Sequence, residues 1–100
     1  MWHPISESEL KELIDRELKN CTAEQQNLFA RYRVAFYKIP IHRLGNLEEV
    51  FVIAEVASGV IYYEDVEEGF EFDRVGEDGA IGTQGCNQFE LRHVLSQLML

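Results

Sequence analysis

The 100-residue sequence predicts an α+β fold: an antiparallel sheet of three to four strands with N-terminal and C-terminal helices packed on one face. Three observations predict it. Both ends carry helix-capping signals followed by apolar residues at helical spacing. The stretch from Arg33 to Asp73 is built of strand-forming runs, the last with a clean period of two. The links inside that stretch are short, which favours a meander over parallel crossovers. The length is that of one domain, taken as residues 1–100.

The first helix is expected at about 6–19. Ser6 and Glu9 have capping-box spacing, in which each side chain satisfies a free backbone N–H of the other. Ile5 and Leu10 stand at the hydrophobic-staple positions, and Leu10, Leu13, Ile14 and Leu18 form one apolar face. Thr22 and Gln25 repeat the box spacing and predict a short helix over 22–31, with Leu28, Phe29 and Tyr32 on its inner side.

The period then changes. Val34, Phe36, Tyr37, Ile39 and Ile41 suit a strand. Pro40 lacks a ladder donor and points to an edge or a bulge. Leu44-Gly45-Asn46-Leu47 reads as a turn. The strand that follows places Val50, Val52, Ala54 and Val56 on one face and Phe51 and Ile53 on the other. A strand apolar on both faces belongs in the middle of its sheet. Ser58-Gly59 is read as a hairpin turn, with Gly59 supplying positive φ. Val60–Tyr63 is the return strand, and Asp65–Gly69 is an acidic turn. Phe70 and Phe72 alternate with Glu71 and Asp73. Asp78-Gly79 marks a turn, with Ala80-Ile81 as a short extension. For the final helix, Asn87 and Glu90 have box spacing, Cys86 and Leu91 take the staple positions, and Leu91, Val94, Leu95, Leu98 and Met99 form the stripe.

The net charge is −9, and its placement is uneven. Residues 1–43 hold six acids and seven bases, whereas residues 44–91 hold twelve acids and one base, Arg74. Such a field repels phosphate backbones, so nucleic acid is disfavoured as a partner. It attracts a basic protein. No run approaches the about 20 apolar residues needed to cross a bilayer. The start, Met1-Trp2-His3-Pro4, lacks the basic and apolar regions of a signal peptide, so the expected compartment is the cytoplasm.

The run Tyr62-Tyr63-Glu64-Asp65-Val66-Glu67-Glu68-Gly69-Phe70-Glu71-Phe72-Asp73 is the most distinctive feature. Its functional reading is a partner-binding surface made of Tyr62, Tyr63, Glu64, Asp65, Glu67, Glu68, Phe70, Glu71 and Asp73. The aromatics would be anchors if exposed, and the acids would steer the approach. Its plainer reading is a hairpin whose polar face happens to be acidic.

Other chemistry finds less support in the sequence. The EF-hand spacing is absent. Paired carboxylates in an exposed turn have little to shift their pKa values. His3, His42 and His93 make no zinc pair. Cys86, read just before a helix N-terminus, has a reactive reading and a packing reading. With Cys21 it makes up the whole cysteine content, and a disulfide between them is disfavoured in a reducing compartment. Gly76, Gly79, Gly82 and Gly85 match neither a P-loop nor a dinucleotide pattern. No motif names a cofactor or a metal, and no catalytic constellation is legible.

The segments Val60–Phe70 and Gly85–Leu91 resemble small uncharacterised bacterial proteins of the immunity-protein type from polymorphic-toxin systems, over roughly residues 50–98. The resemblance implies an acidic inhibitor that binds a basic toxin, and it assigns no contact residues. Two other readings stand beside it. One is a small enzyme or ligand-binding domain with a sheet–helix pocket around Tyr63, Cys86 and His93. The other is a homo-oligomeric regulatory protein, joined through the strand ending at Pro40 or the C-terminal stripe.

Overall fold

A computed structural model of the chain describes residues 3–43, 45–82 and 89–99. Leu44, Gly85, Cys86 and Asn87, which figured in the expectations above, lie outside the described residues.

Helix α1 (Glu7–Leu18) begins at the Ser6 cap: Ser6 Oγ accepts from Glu9 N–H at 3.2 Å, and the Glu9 carboxylate accepts from Ser6 N–H at 3.0 Å. These hydrogen bonds from Ser6, followed by the charge of His3, hold the Glu9 carboxyl below its ordinary pKa. Helix α2 (Ala23–Tyr32) starts with the same device, from Thr22 and Gln25. Gln25 does more. Its Nε2 donates to Ser96 Oγ at 2.7 Å and to Arg92 O at 3.2 Å, tying α2 to α3 (Leu91–Leu98). Helix α3 starts later than its spacing predicts. Glu90, expected at the third helical position, is the N-cap itself, with Leu91 the first helical residue.

The sheet departs from expectation in size and sense. It has five strands in the order β4-β3-β2-β1-β5, where β1 is Arg33–Arg43, β2 Asn46–Val56, β3 Gly59–Glu64, β4 Gly69–Asp73 and β5 Ile81–Gly82. The first four form the antiparallel meander. The short extension at Ile81 instead pairs parallel to β1, matching Ile41 with Ile81 and His42 with Gly82, so the sheet is mixed. The connection after β4 therefore runs from one edge of the sheet to the other. β2 holds the centre, as its two-sided apolar pattern predicts. Ahead of Ile41, β1 has no strand on its far side among the described residues, which suits Pro40.

Two clusters of buried side chains flank the sheet. On one face Leu10, Ile14, Phe29, Leu91, Val94 and Leu95 from the helices meet Ile53, Ala54, Ile61, Tyr63 and Phe70. On the other face Ile41, Val50, Val52, Val60, Tyr62 and Ile81 pack without any helix among the described residues. The sheet curls around this second cluster, and the crossing connection brings Ala80 and Ile81 into burial. A register shift between Val52 and Ala54 marks a β-bulge. An extra residue reverses the facing of everything after it. Ala54, expected beside Val52, therefore joins Ile53 on the helix side.

Gly59 is also corrected. The turn residues are Ala57 and Ser58, and Gly59 opens β3 without left-handed φ. Its requirement is space: a Cβ there would lie 2.4 Å from the Asp73 carbonyl oxygen and 2.9 Å from Phe72 Cζ. Among the described residues, those at positive φ are Gly45, Gly79 and Glu68.

Candidate functional site

The acidic run forms β3, a four-residue turn and β4. Its aromatics are core residues and not surface anchors. Tyr62 and Phe70 are each 2% exposed and Tyr63 is 7% exposed. Tyr62 enters the cluster away from the helices, while Tyr63 and Phe70 pair across strands on the helix side, their rings 5.0 Å apart.

The acids separate by strand pleat. Glu71 and Asp73 stand opposite Tyr62 and Val60 in the ladder and share their face. Glu64 is 2% exposed and pairs with Arg43, which reaches it across β2 and also pairs with Glu48. Glu64 is thus committed to the fold. Asp65 accepts weakly from Ile5 N–H at 3.4 Å, and Asp73 accepts from Arg74 N–H at 2.7 Å. Glu67 and Glu68 are exposed in the turn and make no ion pair or hydrogen bond among the described residues. The nine residues read as one surface are therefore divided between two faces and the core.

A cleft of about 400 Å³ opens beside the turn, between α1 and the entry to α3. Its apolar wall comes from Ile5, Leu13, Tyr63, Phe70 and Phe89. Its polar wall comes from Glu9, Glu17, Glu68 and Glu90, with Arg16 the base among the lining residues. The backbone holds this corner together: Phe70 N–H donates to Phe89 O at 2.8 Å, and Glu17 Oε1 accepts from Leu91 N–H at 2.8 Å. The latter puts a carboxylate at the positive end of α3, where the helix dipole favours it. Burial raises the Tyr63 phenol pKa, and the charges of Glu68, Asp65 and Glu17 raise it further.

Comparison with protein families, with curated proteins and with solved structures finds no match to this chain.

Sequence reasoning named Tyr63, Glu68 and Phe70 as parts of a partner-binding surface, and Tyr63 also as part of a sheet–helix pocket, but missed the contributions of α1. The signal was present. Glu9, Leu13 and Glu17 recur every four residues, a row adjoining the buried pair Leu10 and Ile14. Of the pocket pictured around Tyr63, Cys86 and His93, Cys86 lies outside the described residues. Tyr63 lines the cleft, but His93 is exposed, stacks edge-on against Phe89 and accepts from Glu90 N–H. Cys21 is buried, its Sγ directed at Glu17 O, with its pKa raised first by burial and then by Glu17. Among the described residues no three His, Cys, Asp or Glu side chains are grouped as a metal site requires, and no helix is long and apolar enough to cross a membrane.

Proposed function

We propose that this chain is an acidic protein-binding domain whose partner is a basic protein, in its specific form an immunity-type inhibitor of a basic toxin. The observation that carries the reading is the uncompensated charge of the β3–β4 turn. Residues 44–91 hold twelve acids and one base, and Glu67 and Glu68 stand exposed with no cation bound to them among the described residues. Carboxylates so placed speed the encounter with a positive surface and leave much of the affinity to other contacts. With the hairpin aromatics in the core, those contacts come from the acids and the cleft walls. The immunity-type form rests on the resemblance of residues 50–98.

The test is capture with the intact protein as bait, followed by measured association rates for each purified partner. A basic partner is expected, with association slowed severalfold by added salt and by the charge reversal Glu67→Lys with Glu68→Lys. Capture of only neutral or acidic partners, bound equally well at all salt concentrations, would refute the reading.

A further inference from the structure

The cleft beside the turn holds two groups that the fold leaves unused. The first is the Tyr63 hydroxyl. Tyr63 is 7% exposed, and no hydrogen bond to its hydroxyl forms among the described residues, although the residue lines the cleft. No side-chain oxygen or nitrogen is both sealed from solvent and unpartnered among the described residues, so this hydroxyl keeps access to solvent, on a residue that lines the cleft. A buried tyrosine normally finds a partner for its polar end. The second group is the Glu68 carboxylate, whose residue lines the same cleft and stands at φ 57°. Left-handed φ is uncommon for a residue with a Cβ and is disfavoured by local sterics.

The surroundings define what would satisfy both. Glu9, Glu17 and Glu90 share the wall with Glu68, and each already accepts a hydrogen bond or an ion pair from the protein. Arg16 is the base on that wall, and it makes no ion pair with these carboxylates among the described residues. Four carboxylates against one guanidinium exclude an anion. The remaining wall is apolar, supplied by Ile5, Leu13 and the aromatic rings. A ligand for this space carries a positive head on an apolar stem.

We infer that the cleft receives a lysine or arginine side chain of the basic partner, with the Glu68 carboxylate and the Tyr63 hydroxyl accepting hydrogen bonds from its cationic head. Its aliphatic stem lies against Leu13, Phe70 and Phe89. The inference rests on the proposed basic partner and assigns the cleft as the place where one of its side chains is read. Glu68 is then the point where steering charge becomes direct contact.

The test is a nuclear magnetic resonance titration of the isotope-labelled full chain at low salt. The probes are the blocked peptides Gly-Lys-Gly and Gly-Arg-Gly, the acetyl-lysine counterpart, and tetralysine. Saturable shifts at Tyr63, Glu68 and Glu17 are expected with at least one cationic tripeptide, and the better of the two identifies the side chain. Acetyl-lysine is expected to leave these signals unmoved. Glu68→Gln should weaken binding about tenfold, the scale of a hydrogen bond to a charged group. Tyr63→Phe, which keeps the ring packing, should weaken it about two- to tenfold. Equal binding of acetyl-lysine, or unchanged affinity in Glu68→Gln, overturns the inference. Tetralysine shifts confined to Glu71 and Asp73 on the opposite face overturn the cleft and leave the basic-partner reading standing. No response to tetralysine anywhere defeats both.

Discussion

Replacing Arg43 with methionine should unfold a large part of this protein's stability margin. Glu64 is 2% exposed, and Arg43 pairs with it from two strands away; the Arg43 side chain is 16% exposed. Methionine preserves much of the aliphatic volume but leaves the Glu64 carboxylate without its cation. Removing one member of a buried pair costs about 3–5 kcal/mol, because a desolvated charge remains behind. A domain of this length has about 5–15 kcal/mol in all, so the loss is a large share. The melting temperature should fall by about 12 °C or more. The second bond of Arg43, to Glu48, contributes far less, because that carboxylate is 43% exposed and screened by water. Urea denaturation of Arg43→Met, Glu64→Gln and the double variant forms a double-mutant cycle. The double variant should be more stable than Arg43→Met alone, since it no longer buries an unpaired charge. A loss below about 1 kcal/mol, with the two changes simply adding, would place the pair in the class of surface bridges. The burial argument would then fail.

Gly59→Ala should cost about 1–3 kcal/mol, the scale of overpacking, because the added methyl meets the Asp73 carbonyl across the β3–β4 ladder. Equilibrium unfolding measures this, and an unchanged midpoint would show that β4 yields freely. The Tyr37 phenol is pushed up to about 12 by burial and by its hydrogen bond to Glu55 at 2.6 Å. Its pKa is raised on folding, so the associated stability is present below about pH 10 and is lost as pH rises through 12. Ultraviolet titration should find late phenolates from both Tyr37 and Tyr63; the one lost in Tyr37→Phe should move earlier in Glu55→Gln, and no movement would discount the hydrogen bond.

The local devices were legible in the sequence because they are local. Ser6 with Glu9, and Thr22 with Gln25, each specify a helix start within four residues, and both starts fall where that spacing puts them. The central place of β2 followed from apolar residues on both its faces. What escaped depends on residues far apart in the chain. The parallel pairing of Ile81 with Ile41 has no signature in two residues of strand. The bulge at Ile53 leaves the apolar pattern of β2 intact while reversing the side on which Ala54 lies. Asn87 offered a plausible cap spacing, yet α3 begins only after Glu90. For the candidate site, composition marked the acidic hairpin correctly as β3, turn and β4. It could not show that Tyr62, Tyr63 and Phe70 are buried, since that requires knowing both faces of the sheet are covered. Nor could it bring Glu17 to Glu68, which come together only when α1 docks beside the turn.

The return of β5 to the side of β1 also bears on the order in which this chain acquires its form during synthesis. The four meander strands can pair as they emerge, each with the one before it. Ile41, however, gains its parallel neighbour only when residue 81 is available, and Ile14 and Phe29 share their cluster with Leu91, Val94 and Leu95. A nascent chain halted before α3 would carry α1 and α2 with their apolar sides only partly covered. Stalled products are therefore expected to attract chaperones and proteases, and cooperative structure should arise in a late step that admits no stable fragment.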